Sequence, residues 1–285
     1  MSKDGMNSET PDQFIARLDA ASQLSLSPCG EGHMAARVWG SGQPLVLLHG
    51  NFGSWMHWIR NIEALSQHYR VIAIDIPGFG DSHLPSKPYN STSVSAIMRE
   101  GIRQIVGDEP INLAGFSFGA SCSAALAHAM GEQMRKLVLV CSGRNMTGVT
   151  RNQLEDFIKW RDFESREQRD AAHRRNLEVI MIADPANIDD LAITIQRNNA
   201  ERARLRSVFV TEGAPIQTHV PGLKCPFAAI WAEHDQTIGP YLHERPAWLK
   251  RYRPDARHII IPDAGHWCAF EAPQTFNHAL LELLA

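Results

Sequence analysis

From Pro44 onward the chain repeats one pattern that few folds can satisfy. A continuous apolar run ends in a turn, and a helix-like stretch follows. The runs are PLVLLHG (44–50), RVIAIDIPG (70–78), INLAGFS (111–117), KLVLVCSG (136–143), PFAAIWAEHD (226–235) and ARHIIIPDAGH (256–266). They lack the polar alternation of a strand with one wet face, so each is expected to be buried on both faces, as in a parallel sheet. Parallel neighbours need a crossover, and the helical stretches Ser54–Gln67, Val94–Val106 and SAALAHAM (123–130) supply such connections, with FNHALLELL (276–284) as the last helix. Two shorter runs, Leu24–Ser27 and His33–Trp39, are joined by a glycine-containing turn and read as an antiparallel hairpin at one edge. Residues 12–22 place Phe14, Ile15, Leu18 and Ala21 on one face of a short amphipathic helix. The fold class is α/β, with a mostly parallel sheet wound on both faces.

The alternation stops between about Arg144 and Val220, where residues 154–163, 171–182 and 191–209 read as long helices without a strand. This predicts a core of residues 1–143 and 221–285 with a helical cap, 144–220, inserted between two strands. The arginines of the cap are offset by acids and read as a solvated helical surface, Arg197 included. Ile111–Gly131 carries no charged residue, yet its asparagine, serines, histidine and glycines suit a buried strand and helix better than a membrane span. Met1–Pro11 lacks the basic start and apolar stretch of a secretory leader, so the cytoplasm is the expected location. Five scattered cysteines without a Cys-x-x-Cys pair are expected to be reduced and buried. A formal charge of -3 leaves no basic surplus for phosphates, which argues against a nucleic-acid partner and leaves a small molecule as the expected one.

Gly115-Phe116-Ser117-Phe118-Gly119 matches G-x-S-x-G between a strand-like and a helix-like stretch. In that setting a tight turn pushes the serine hydroxyl out at the top of the sheet. A hydroxyl is a weak nucleophile and needs a base that a third group orients. Of thirteen histidines, His266 follows a strand and precedes the last helix, at the end of the sheet where Ser117 must lie. A carboxylate at another strand end completes the set. Asp235 fits best, with Glu233 and Asp263 as competitors. The absence of H-E-x-x-H and of any Gly-Lys dipeptide gives no sign of a zinc-protease site or a P-loop, and neither cofactor nor metal is implied.

The order Ser117, Asp235, His266 resembles that of the α/β-hydrolase superfamily, and the likeness runs along nearly the whole chain. LLHGNFGSW (47–55) resembles its His-Gly oxyanion turn, DIPGFGDS (75–82) its Asp-x-x-Gly-x-Gly-x-Ser loop, GFSFG its nucleophile turn, and DAGHWCAFEAP (263–273) its histidine turn. The resemblance implies an oxyanion hole from the N–H groups of Asn51 and Phe118, and a structural hydrogen-bonding role for His49. It implies a carboxylesterase-like serine hydrolase acting on a small, mainly apolar ester or related acyl compound through an acyl-enzyme. Phe118 and Trp267, each next to a member of the set, are expected to line an apolar pocket. The chain also resembles meta-cleavage product hydrolases, which break carbon–carbon bonds, in His266-Trp267 and in residues 184–197. It departs from them at Phe116, where they have asparagine, and in its Gly50-Asn51-Phe52-Gly53 turn. A third reading is a ligand-binding protein without catalysis on the same fold.

Overall fold

The computed structural model describes residues 9–142, 157–207, 210 and 216–285. Strands β1 (Gln23–Cys29), β2 (Gly32–Trp39), β3 (Pro44–Leu48), β4 (Arg70–Ile74), β5 (Ile111–Phe116), β6 (Met134–Val140), β7 (Phe227–Ala232) and β8 (Arg257–Ile261) form one sheet. Their order is β1-β2-β4-β3-β5-β6-β7-β8. The β1–β2 and β2–β4 pairings are antiparallel, and every other pairing is parallel. The hairpin therefore sits at one edge and the wound sheet makes up the rest.

From β3 to β7 the continuous apolar runs are explained by two cores, one on each face, whereas β8, at the edge of the sheet, is not covered on both faces and leaves Ile260 39% exposed. Within β3, Val46 and Leu48 point into one core and Leu45 and Leu47 into the other. The first core is closed by helix α3 (Ser91–Val106), whose Val94, Met98, Ile102 and Val106 recur every fourth residue, and by α4 (Phe118–Met130). The second is closed by Leu18 of α1 (Pro11–Ala20), by Trp58, and by Phe276, Leu280 and Leu283 of the last helix, Pro273–Leu284. The uncharged stretch 111–131 is β5 and α4, and among the described residues no helix is long and apolar enough to cross a membrane. All five cysteines are free and buried.

Three helices deviate from the sequence expectation, each because a tertiary contact outcompetes helical pairing. Residues 54–67 are a 3₁₀ turn at Trp55–Trp58, capped by Ser54, and a separate short α2 (Ile62–Leu65). Between them the Asn61 side chain is drawn away to the Ala269 carbonyl and Asn277. In the insertion, α5 (Arg166–Asn176) runs into a wide π turn at Leu177–Met181, and α6 spans Asp190–Arg202. The helix expected over 154–163 is only a turn at Trp160–Asp162 within the described residues. Asn176 explains this, because its amide takes both the N–H and the C=O of Ile158 and holds that segment along α5. Residues 154–156 lie outside the described residues, as do 208–209 of the third expected helix. That helix ends at Arg202 because the N–H of Arg204 goes to the carbonyl of Gly78.

Three histidines outside the strand-end set are engulfed by the fold: His49, His57 and His173 are at most 2% exposed. Burial lowers the imidazoles of His49 and His173 to about 4 and drives that of His57 well below its ordinary value. Such a group stays neutral in the folded chain but is protonated below about 6.5 once unfolded, so its contribution to stability is present above 6.5 and is lost as pH falls toward 4. By pH 5 His49 and His173 should each have cost about 2 kcal/mol, with His57 acting in the same direction. Asp75, pushed up to about 6 by burial, opposes this by only about 1 kcal/mol over the same interval. Urea unfolding at pH 7.5 and 5 should therefore give a clearly lower free energy at pH 5. An equal or higher value would contradict this accounting.

Candidate active site

The parallel strands all end at one edge of the sheet, and the loops leaving those ends build the site. Leaving β5, the chain enters α4 through Ser117, which sits in the left-handed region (φ 53°, ψ -109°). Its side chain makes no helix-capping hydrogen bond, so the hydroxyl is free to turn outward. Glycine is required on both sides. A Cβ on Gly115 would lie 2.0 Å from the Ser123 hydroxyl, and one on Gly119 would lie 2.5 Å from the carbonyl oxygens of Leu48 and His49. Neither position has room for a methyl group.

The Ser117 Oγ lies 2.8 Å from His266 Nε2, and His266 Nδ1 lies 2.8 Å from Asp235 Oδ2. His266 and Asp235 are 4% and 3% exposed. The other Asp235 oxygen accepts hydrogen bonds from the Thr237 N–H at 2.8 Å and hydroxyl at 2.7 Å. With both oxygens engaged, the carboxylate can bind Nδ1–H only in one orientation, which leaves Nε2 as the acceptor facing the serine. Glu233 and Asp263 are exposed and tied to each other through the Asp263 N–H, so of the three carboxylates only Asp235 reaches His266.

The turn after β3 is wired from beneath. His49 Nδ1–H donates to the Gly50 carbonyl at 2.7 Å and Nε2 accepts from the Ile76 N–H at 2.9 Å, while the Gly50 N–H donates to His57 Nδ1 at 3.1 Å. Asp75, 1% exposed, accepts from the N–H groups of Trp55 at 2.7 Å and Asp81 at 2.9 Å, and pairs with Arg37 at 3.5 Å. These contacts fix the 49–55 turn against residues 75–81, and Gly119 of α4 packs closely on the His49 carbonyl at its start. Among the described residues, no backbone hydrogen bond uses the N–H of Asn51 or of Phe118.

The aromatic residues behave differently from one another. Phe118 is 6% exposed and packs on Phe79, with ring centres 5.5 Å apart. Trp267 does not line a pocket here. It is fully buried, stacks on Phe270 at 4.2 Å, and spends its indole N–H on the His57 carbonyl. That side chain supports the histidine turn from behind, because the turn directs His266 toward Ser117 and its neighbour inward. Arg197 is likewise not an exposed helical arginine. It is 8% exposed and pairs with Asp170 at 2.6 Å inside the insertion. Sequence reasoning missed Thr237, for which the Asp-x-Thr spacing was the available signal. It also missed Phe52, a 39% exposed aromatic in left-handed conformation on the 49–55 turn.

Among the described residues, two sets of side chains have the spacing of metal ligands, Cys141–Asp235–His266 and Glu233–His234–Asp263, each with its atoms within 4.8 Å of one another. In the first set the imidazole and carboxylate already bind each other, and burial pushes the Cys141 thiol well up, away from the thiolate a metal requires. That chemistry suits proton transfer better than metal binding. The second set is fully exposed.

The family model for the alpha/beta hydrolase fold matches residues 43–191. The chain is 27% identical over 267 residues to the dihydrolipoyllysine-residue acetyltransferase component of the acetoin cleaving system of Pseudomonas putida, covering 85% of this chain and 64%, less than two thirds, of that longer protein. It is 26% identical over 253 residues to a 2-hydroxy-6-oxononadienedioate/2-hydroxy-6-oxononatrienedioate hydrolase of Paraburkholderia phymatum, covering 85% of this chain and 87% of that one. Among solved structures, the esterase RhEst1 from Rhodococcus sp. ECU1013 superimposes with a TM-score of 0.75 at 18% identity, over 93% of this chain and 98% of that one. Sheet order, strand-end loops and the matched family model together make this chain a member of the α/β-hydrolase fold family.

Proposed function

We propose that the protein is a serine hydrolase that cleaves a small, mainly apolar ester or related acyl compound. The observation that carries this reading is the unbroken hydrogen-bonded chain Ser117–His266–Asp235, at 2.8 Å for each link. His266 takes the Ser117 proton through Nε2 as Oγ attacks the substrate carbonyl. The charge that develops on the carbonyl oxygen is received by the N–H groups of Phe118 and Asn51, and loss of one such donor typically costs about 3 kcal/mol of transition-state stabilisation. His266 then gives its proton to the departing alkoxide, leaving an acyl group on Ser117. A water deprotonated by the same nitrogen releases the acid. Asp235 stays ionised throughout and stabilises the imidazolium, while Thr237 keeps the carboxylate from rotating away.

The apolar preference rests on Phe118 packed against Phe79 and on Leu205 of the insertion lying against Gly78 of the same loop. Carbon–carbon cleavage is the second reading, and the 26% identity to the nonadienedioate hydrolase favours it. Two features weigh the other way. Phe116 packs its ring on His266 at 5.0 Å instead of offering an amide, and the charge of Arg197 is already matched by Asp170. A dienoate carboxylate would therefore find less polar recognition near the serine. The helical segment between β6 and β7 is read as a cap over the strand ends.

Purified protein should hydrolyse short p-nitrophenyl esters and be labelled by a fluorophosphonate. Ser117→Ala should lose at least about 1000-fold in kcat and all labelling, with an unchanged circular dichroism spectrum. An active Ser117→Ala variant would overturn the assignment of the nucleophile, and ligand binding without turnover in either form would favour a non-catalytic role. In parallel assays, a chromogenic dienoate ring-cleavage product should turn over more slowly than the best ester; the opposite ranking would establish the carbon–carbon reading.

A further inference from the structure

The histidine turn is held by a residue that the reaction as drawn leaves unused. Glu271, at the end of the short helix Cys268–Glu271, turns its carboxylate back to the backbone of Gly265, the residue before His266. One oxygen, Oε2, accepts the Gly265 N–H at 2.7 Å and the Ala183 N–H at 3.0 Å. The other, Oε1, accepts the Asp184 N–H at 2.9 Å and the Asn187 amide at 3.3 Å. A single carboxylate thus joins the residue before His266 to three groups of the helical insertion.

The contact on the other side of His266 is equally direct. The Trp267 N–H donates to the Met181 carbonyl at 2.7 Å, at the end of the π turn in which α5 finishes. Gly265 leaves no space between the two segments: a Cβ there would lie 2.6 Å from the Ala183 nitrogen and 3.0 Å from the Met181 oxygen. His266 is therefore bracketed in sequence by two residues whose N–H groups are bonded at this seam. Nothing comparable exists at Asp189, where the insertion meets the core through an exposed ion pair with Arg60.

We propose that Glu271 is a positioning residue that locks the His266 turn to the helical insertion, so that the insertion sets the placement of the general base. The proposal rests on the hydrolase reading above. Its chemistry follows from the donor set: four N–H groups converge on one carboxylate, a charge-assisted arrangement that is stronger and more directional than neutral pairs. Displacement of a reacting group by about 1 Å can cost about 100-fold in rate. The effect should therefore fall on kcat rather than on substrate affinity.

The test compares Glu271→Gln, which keeps one carbonyl acceptor, and Glu271→Ala, which keeps none, with Asp189→Asn as the control. Asp189→Asn breaks the exposed ion pair while retaining the helix cap of α6. Ester kinetics, the rate of fluorophosphonate labelling, hydrogen exchange at the Ala183, Asp184 and Gly265 amides, and thermal unfolding are measured for all of them. Glu271→Gln is expected to lose about 10-fold and Glu271→Ala about 100-fold in both kcat and labelling rate. KM should stay within about twofold, and the three amides should exchange faster while the sheet amides do not. Asp189→Asn should keep wild-type kcat. Wild-type kcat and labelling in folded Glu271→Gln would overturn the role, as would an equal loss in Asp189→Asn. If the wild-type protein neither turns over nor labels, it is the hydrolase reading that fails, and the role falls with it.

Discussion

The closeness of α4 to the end of β3 governs the site. At Gly119 the helix comes so near the Leu48 and His49 carbonyls that no side chain fits. This contact forces the sharp turn at Ser117, with its left-handed backbone, and brings the first N–H of α4 beside the turn that carries Asn51. The candidate nucleophile and oxyanion donors are thus fixed by one steric condition. A larger residue at 115 or 119 would separate strand from helix and move both together.

Around that contact, loops from different strands are joined by side-chain acceptors instead of by sheet pairing. Asp75 gathers the N–H groups of Trp55 and Asp81, His49 takes that of Ile76, and Glu271 collects those of the insertion and the histidine turn. Loop backbone withdrawn from water needs such partners, because an unpaired buried amide costs free energy comparable to a lost hydrogen bond. The same acceptors that satisfy this need also set loop geometry. Each of these acceptors therefore does two jobs at once.

Much of this was legible in the chain. Continuous apolar runs identify the inner strands because both faces there meet a core, although edge strand β8 carries the same signal and leaves Ile260 exposed; G-x-S-x-G between a strand and a helix marks Ser117 because the turn excludes larger neighbours. Aromatic residues were harder to place. Trp267 adjoins His266 in sequence, yet successive side chains in a turn diverge, and its ring went to the core. Arg197 looked solvated because its partner, Asp170, lies 27 residues away on another helix.

The sequence by itself determined the sheet class, the strand-end positions of Ser117, Asp235 and His266, and the helical interruption between β6 and β7, because each depends on local pattern: apolar periodicity, turn chemistry, and glycines where space is short. Only the tertiary structure decided which of three nearby carboxylates meets His266, where the helices of the insertion stop, and that Glu271 links the insertion to the histidine turn. Those outcomes depend on groups far apart in the chain competing for the same hydrogen bonds, and that competition is resolved only when the packed loops bring the donors and acceptors within about 3 Å of each other.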